Sequence, residues 1–296
     1  MPLIDSSPIR QDTEALRQRA DQDGYLLFRG LLPANDVIDT REQVLDCCER
    51  HRFFSSPIVH DDGTMDLDRL RAYYEEAYRL RSVHALPKHA AIVDVYTRLF
   101  GRKAVPHART VLRTMPYGTR QVWPVHQDYL NVGTHNEVWN SWMPVGDCPS
   151  DLGAIWMLPG SHRLGVRGNH LLDEKELFFE ATGDLFNHPP AGFHWQTDDL
   201  NTGDVIMFNS LTFHRGGPNQ RPDEFRISID NCIQPIDTDF IAGAFELHTG
   251  DFGKFNQGVG WDQIYEEWPE ADPLKYYWQQ LDLNFADSIA VEFENA

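Results

Sequence analysis

Residues 203–230 read GDVIMFNSLTFHRGGPNQRPDEFRISID, and they contain two short strand patterns with a histidine between them. Gly203-Asp204 is a turn pair, and the apolar run 205–208 that follows has the length and composition of a buried strand. His214 precedes a Gly-Gly-Pro turn, and the next run, 226–230, alternates polar and apolar side chains. Because such alternation has the period of a strand, this stretch predicts β-structure on both sides of His214.

The same pattern extends outward over residues 105–235, where short apolar runs alternate with Pro, Gly, Asn and Asp. It is typical of an all-β barrel or jelly roll. Residues 1–104 have mostly helical spacing instead. Helices are predicted over residues 13–20, 33–50, 67–80 and 87–100, with one strand at 25–29. Asp12 is expected to cap the first helix and Asp23-Gly24 to close it. We therefore expect a mainly β chain with a single domain over residues 1–296. In it, N-terminal helices support a double-stranded β-helix, and residues 236–296 form an acidic, aromatic extension.

A candidate metal site is formed by His126, Asp128 and His214. The two histidines and the carboxylate are the ligand set of a facial triad, which leaves three iron positions open for substrate and dioxygen. Residues on both sides of the His-x-Asp pair are β-branched or aromatic, as in a strand, where positions i and i+2 share a face. We therefore expect His126 and Asp128 to converge on one ion from a single strand.

Two other His-x-acid pairs occur, at His60-Asp61-Asp62 and His135-Asn136-Glu137. The first runs into Gly63 and Thr64 with no apolar alternation around it, which favours a solvated loop. The second precedes a strand pattern at 138–145, but no further histidine and arginine follow it at a distinct spacing. Neither pair is expected to bind a metal.

Arg226 lies 12 residues after His214, and the predicted strand places Arg226, Ser228 and Asp230 on one face. An arginine on the inward face of a small barrel has to pair with an anion, because an unpaired buried charge costs several kcal/mol. A structural salt bridge would satisfy it. A dicarboxylate cosubstrate, held bidentately by the guanidinium, would satisfy it equally well.

Taken together, these motifs resemble the phytanoyl-CoA dioxygenase family of iron(II)- and 2-oxoglutarate-dependent oxygenases, over roughly residues 12–235. The matching elements, in chain order, are Asp23-Gly24-Tyr25-Leu26-Leu27, His126-x-Asp128, Leu152-Gly153-Ala154-Ile155 through Pro159-Gly160-Ser161-His162, Gly203-Asp204, His214 and Arg226. The resemblance implies that 2-oxoglutarate chelates an Fe(II) ion and that Arg226 binds its distal carboxylate, with Ser228 assisting.

The resemblance also points to three residues whose roles stay open. Trp142 matches a strand tryptophan that lies beside the cosubstrate in such enzymes, although a plain core aromatic would fit as well. Arg109 occupies a region near the cosubstrate where relatives often have glutamine or methionine, so it departs from the pattern. His162 belongs to the Pro-Gly-Ser-His turn and would either support the metal ligands or stabilise the turn.

The implied activity is hydroxylation of an unactivated carbon of a small-molecule metabolite by dioxygen, with release of succinate and CO2. Desaturation, cyclisation or epimerisation could branch from the same chemistry. A zinc hydrolase could use the same ligands, but it would need a general base near the metal and has no use for Arg226. A metal-free cupin-like binding protein predicts the loss of a ligand, and all three ligand types are present.

The net charge of −19 limits the partners that this chain attracts. It opposes nonspecific binding to nucleic acid or anionic lipid, and it makes a coenzyme A thioester a less attractive substrate. The chain has no apolar stretch approaching the roughly 18 residues of a membrane span and begins with no secretory signal, so we expect a cytoplasmic protein. Its four cysteines, Cys47, Cys48, Cys148 and Cys232, are expected to be reduced thiols.

Residues 237–296 carry 13 acids against Lys254 and Lys275, and they are rich in tryptophan and tyrosine. We expect this extension to pack against the barrel. A lid over the substrate mouth and a homodimer contact are the alternatives, because aromatic residues are enriched at interfaces.

Overall fold

The structure is a computed structural model, and it describes residues 2–56, 58, 66–117, 125–129, 137–166, 185–248 and 258–286. Within these ranges, none of the helices combines the length and the hydropathy that crossing a bilayer requires.

Five helices precede or flank the first long strand. They are α1 (Thr13–Asp23), α2 (Ala34–Arg50), α3 (Leu67–Ala77), α4 (Arg81–Ala85) and α5 (Ala90–Phe100). The ends of α1 follow from its sequence. The Asp12 side chain accepts hydrogen bonds from the backbone N–H groups of Glu14 and Ala15. Gly24 ends the helix with a φ of 71°, where an added Cβ would lie 2.3 Å from a ring nitrogen of His162.

The predicted helices are confirmed, with shifted ends. Helix α1 continues to Asp23, beyond the predicted end at Ala20. Helix α3 ends at Ala77, before the predicted Leu80. The predicted 87–100 helix begins only at Ala90, because Leu86–Lys88 forms a separate 3-10 turn.

Among the described residues, seven strands form two antiparallel sheets. They are β1 (Tyr25–Phe28), β2 (Ala104–Met115), β3 (Trp139–Pro144), β4 (Ile155–Met157), β5 (Val205–Asn209), β6 (His214–Gly216) and β7 (Arg226–Pro235). The large sheet has the order β1-β5-β3-β7-β2, and β4 pairs with β6 in the small one. Isolated bridges from His126 to His214 and from Met157 to Gln196 widen the small sheet. This is the expected jelly roll.

The large sheet has an outer face and an inner face. Opposing residues of paired strands point to the same face, so Trp142, Ile206 and Asp230 share one face and Met143 and Ile229 share the other. Met143 and Ile229 belong to the hydrophobic cluster that includes the helices. Trp142 and Ile206 belong to a second cluster, shared with strand β4 of the small sheet. The helices therefore cover the outer face, and the inner face looks into the barrel.

The C-terminal extension contacts both the helices and strand β2. The indole N–H of Trp268 donates to the carbonyl of Arg79 over 2.8 Å, and the hydroxyl of Tyr277 donates to the carbonyl of Pro106 over 2.5 Å. A short helix, α6 (Trp261–Ile264), lies within this region. Packing against the rest of the chain is therefore the arrangement seen for the described part of the extension.

Candidate metal centre

His126, Asp128 and His214 converge, and they offer ligand atoms that all lie within 4.8 Å of one another. Nε2 of His126 lies 3.3 Å from Oδ1 of Asp128, and Nε2 of His214 lies 3.5 Å from Oδ2 of the same carboxylate. First-row metals bind nitrogen and oxygen at about 2.0–2.2 Å, so adjacent ligands at right angles are about 3 Å apart. The three side chains therefore fit one metal ion.

The two histidines are aligned by the backbone. His126 and His214 exchange both N–H···O=C hydrogen bonds, of 3.0 and 3.1 Å, in an isolated antiparallel bridge. Their rings lie 4.1 Å apart between centroids. Residues opposite each other in such a pair project to the same face. Segments 88 positions apart in sequence thus bring their histidines together.

We expected a single strand to carry both His126 and Asp128, and the structure differs from this expectation. His126 lies in the bridge, whereas Asp128 already lies in a turn; residues 122–124 and 130–132 are outside the described residues. Gln127 points away from the site and donates from its side-chain amide to the carbonyls of Gly165 and Leu211. The side chain of Asp128 is therefore brought to the two histidines by a turn that Gln127 anchors.

The electrostatics of the triad favour metal binding. Burial raises the pKa of Asp128, but the charges of His214 and His126 lower it more, so the net pKa lies well below the usual range. Burial, with His126 as the second cause, lowers the pKa of His214 to about 4. The ring Nδ1 of His214 lies 3.0 Å from the carbonyl of Thr212, which places a proton on Nδ1 and leaves Nε2 free for a metal. At neutral pH the site holds an ionised carboxylate beside a neutral histidine.

Arg226 is buried at the start of β7, with 4% of its surface exposed. One terminal N–H donates to the hydroxyl of Ser228 over 2.6 Å, and Nε has no hydrogen-bond partner among the described residues. Asp230, expected on the same face, forms its ion pair with Arg113 instead, over 3.0 Å. No carboxylate of the described residues pairs with Arg226. A structural salt bridge thus does not account for this arginine, and an anionic ligand would.

Trp142 lies on the inner face, 5% exposed, directly opposite Asp230 of β7 and Ile206 of β5. It belongs to the inner hydrophobic cluster. The tryptophan therefore forms part of the wall of the barrel on the face that carries Arg226 and Ser228.

Arg109 is not close to Arg226. It lies on β2 in the part that opposes Cys232, whereas Arg226 opposes Met115 at the other end of the pair. The structure therefore brings His126, Asp128 and His214 together and joins Ser228 to Arg226, but it separates Arg109 from that pair.

The remaining residues that the sequence singled out lie elsewhere. His162 contacts Gly24 and the carbonyl of Asp21, which supports its turn-stabilising interpretation. Glu137 forms a surface ion pair with Arg102. His60 and His135 lie outside the described residues.

Three polar residues of the inner face were not predicted. Arg113 pairs with Asp230, while Asn140 and Cys232 lie side by side on β3 and β7. The thiol of Cys232 donates to the side-chain oxygen of Asn140 over 2.6 Å. Strand alternation on β2 could have identified Arg113, because it falls in step with Met115, the partner of Arg226. Nothing local marks Asn140 or Cys232, since their relation depends on the register of β3 with β7.

Comparison with known proteins identifies the family. A family model described as "Phytanoyl-CoA dioxygenase (PhyH)" matches residues 20–228. A 1-deoxypentalenic acid 11-beta-hydroxylase from Streptomyces arenae is 27% identical over 248 residues, which cover 78% of this chain and 84% of the relative. The corresponding hydroxylase from Streptomyces exfoliatus is 26% identical over 251 residues, with the same coverage.

Solved structures support the fold. One is the non-heme alpha ketoglutarate dependent carbocyclase SnoK from nogalamycin biosynthesis, with a TM-score of 0.57, 16% identity, and coverage of 81% of this chain and 89% of that one. Another is EctD from S. alaskensis with 2-oxoglutarate and 5-hydroxyectoine, with a TM-score of 0.52, 16% identity, and coverage of 76% and 77%. The expected enzyme class is confirmed: this chain belongs to the phytanoyl-CoA dioxygenase family and is a 2-oxoglutarate-dependent oxygenase.

Proposed function

We propose that this enzyme hydroxylates an unactivated carbon of a small-molecule metabolite, with Fe(II) held by His126, Asp128 and His214 and 2-oxoglutarate held by Arg226. The observation that carries the proposal is the combination of a metal-ready triad with a buried arginine that has no carboxylate partner among the described residues. Bound iron and 2-oxoglutarate would together activate dioxygen, with succinate and CO2 as the co-products.

The protein's own contribution is to position these groups and to keep water out. The carbonyl of Thr212 fixes the ring of His214, so that Nε2 faces the carboxylate of Asp128. Ser228 holds the guanidinium of Arg226, whose fork matches a carboxylate in geometry and charge. The inner cluster around Trp142 supplies apolar walls, which strengthen the charged contacts by lowering the local dielectric.

Hydroxylation is favoured over the other outcomes of this chemistry by the two Streptomyces relatives, both of which are named as hydroxylases. Asp128 argues against one further outcome, halogenation, but it does not distinguish hydroxylation from desaturation, cyclisation or epimerisation. Its carboxylate occupies the ligand position that would have to be vacant for a halide to bind the iron, so the open positions are left for cosubstrate and dioxygen.

The proposal is tested by adding Fe(II) and 2-oxoglutarate to the anaerobic protein and recording the weak visible charge-transfer band that joint binding produces. We expect the band in the unmodified protein and its loss in His126→Ala, because two remaining ligands hold the metal poorly. His194→Ala is the matched control, since His194 is exposed and is not among the three ligands, and it should keep the band. A folded, metal-loaded protein without the band would contradict the cosubstrate assignment.

The reaction type is tested once a substrate is found, by screening candidates for stimulated release of succinate. Under labelled dioxygen we expect one oxygen-18 atom in succinate and one in the product. Labelled succinate with an unlabelled, dehydrogenated or cyclised product would assign the enzyme to another outcome of the same chemistry.

A further inference from the structure

The inner face of the large sheet has two functional ends. Arg226 begins β7, and Cys232 follows six residues later, which corresponds to roughly 20 Å along a strand. Cys232 pairs with Asn140 of β3, which in turn pairs with Phe208 of β5. The ring of Phe208 lies 4.5 Å from the ring of His214. The row formed by Cys232, Asn140 and Phe208 therefore borders His214, one of the proposed metal ligands.

Arg109 belongs to this row. The pairing of β2 with β7 shifts between Pro106 and Thr110, and the Asn231 amide spans the irregularity by donating to the carbonyls of His107 and Arg109. The hydroxyl of Thr110 accepts a hydrogen bond from Lys88, on the helical side of the sheet. Thr110 is in register with Asn231, so from alternation across the step between residues 109 and 110 we infer that the side chain of Arg109 faces inward.

The electrostatic environment of Cys232 agrees with this placement. Burial raises the pKa of its thiol well above the ordinary value, and the Asp128 carboxylate raises it further, whereas the Arg109 guanidinium lowers it. Arg109 and Asp128 thus influence the pKa of the same thiol in opposite directions.

Two hydrogen-bond donors are left over at this end of the pocket. The half-buried guanidinium of Arg109 forms no ion pair or hydrogen bond with the described residues, in contrast to Arg113, which pairs with Asp230. Asn140 is 2% exposed, and its side-chain nitrogen also has no partner among the described residues. A buried donor without a partner is costly, so an unsatisfied amide at a ligand site indicates a group that the ligand satisfies.

A count of the charges at the site predicts the sign and the magnitude of the charge on that ligand group. With the proposed cofactors bound, two charges on iron are balanced by Asp128 and one carboxylate of 2-oxoglutarate, and Arg226 balances the other carboxylate. Arg113 and Asp230 neutralise each other. Among the described residues of the inner face, one positive charge, that of Arg109, then remains, and it matches a monoanion better than a phosphate carrying two charges.

We propose that Arg109 determines substrate specificity by binding a carboxylate of the primary substrate, and that Asn140 donates a hydrogen bond at the same end of the pocket. The substrate is then a monocarboxylic acid. This inference rests on the proposed function, and it replaces the expected role of Arg109 beside the cosubstrate.

The test compares two probes of the same shape, cyclohexanecarboxylate and cyclohexanecarboxamide, by calorimetric titration of the anaerobic protein loaded with Fe(II) and saturating 2-oxoglutarate. Saturation keeps the acid probe away from Arg226. For a fragment of this size we expect a Kd on the order of 1–10 mM for the acid, and binding of the amide weaker by at least about tenfold. Arg109→Gln should abolish the preference, and Arg109→Lys should restore part of it.

Arg71→Gln is the matched control. Arg71 is an exposed arginine of α3 that pairs with Glu75 over 2.9 Å, so its loss should leave the preference unchanged. Asn140→Ala should weaken acid binding severalfold and leave the affinity for 2-oxoglutarate unaltered.

Several outcomes would overturn the proposal. They are equal binding of the two probes, a preference that persists in Arg109→Gln, and no binding of the acid up to about 100 mM, far above the expected Kd. The comparison of probes in the unmodified protein decides the question even if Arg109→Gln does not fold. The charge-transfer band, recorded on the same samples, separates the two hypotheses. A normal band without acid preference defeats only the present proposal, and a missing band defeats the proposed function on which it rests.

Discussion

The two faces of the large sheet are formed by alternating residues of the same strands, yet the side chains on the two faces differ in the partners they find within the protein. On the outer face, Ile227 and Ile229 are 2% and 0% exposed and pack against the helical layer. On the inner face, the neighbouring Arg226 is equally well buried but keeps a guanidinium N–H without a partner among the described residues. The polar groups of the outer face are paired as the chain folds, whereas under the proposed function the inner face is completed by bound ligands. Alternation within one strand therefore separates stability from binding.

The largest predicted effect is a loss of stability caused by a substitution on the outer face. Ile229→Ala should lower the free energy of unfolding by about 3 kcal/mol, because a fully buried side chain leaves a cavity that the helices fill only in part. Urea unfolding of the metal-free protein measures it. The affinity for 2-oxoglutarate of the folded variant should stay within about twofold of the unmodified value. A strong loss of cosubstrate affinity would contradict the view that the outer face contributes to stability and not to binding.

The inner face should respond in the opposite way. Arg226→Ala should raise the 2-oxoglutarate requirement by about 100-fold, equivalent to about 2.7 kcal/mol, because a bidentate charged contact is lost. Iron binding should remain, and the free energy of unfolding without ligand should not fall, since a buried charge without a carboxylate partner is removed. Arg226→Lys should recover only part of the affinity. An unchanged requirement in both variants would make Arg226 a structural residue.

A smaller, pH-dependent effect should come from the helical layer. Burial, with Lys88 as the second cause, lowers the pKa of His84 to about 3, and its Nε2 lies 2.8 Å from the carbonyl of Tyr78. The unfolded chain takes up a proton at this histidine below about pH 6.5, whereas the folded chain stays neutral down to about pH 3. The folded state therefore loses stability as the pH falls through this window, by about 2 kcal/mol at pH 5.

Urea unfolding at pH 7 and pH 5 measures this loss, and His84→Gln is the control. Glutamine can still donate to the Tyr78 carbonyl but does not titrate, so the variant should lose less stability between the two pH values. Equal losses in the two proteins would show that His84 is protonated in the folded state.

Local features of this fold were predictable from sequence. The first helix begins and ends through contacts within a few residues, with Asp12 as its cap and Gly24 in the left-handed region. Likewise, the alternation after Arg226 placed Ser228 on the same face, and the two side chains are in contact. These features depend on one segment and its own period.

Features that depend on pairing between distant segments were not predictable. The single strand expected around His126 and Asp128 is replaced by a bridge to His214 and a turn, because the partner of His126 lies in another part of the chain. The position of Arg109 depends on an irregularity in the pairing of β2 with β7. The local sequence contains no pattern from which such a shift in register could be predicted.

The bridge between His126 and His214 also bears on how the enzyme acquires its metal. Two backbone hydrogen bonds hold the ligand-bearing segments together through a pairing that needs no ion. The conformational entropy of joining them is therefore lost during folding and not on metal binding. Loading then requires little ordering of the chain, so we expect the ion to be removed by a chelator and replaced by another divalent metal without unfolding the barrel.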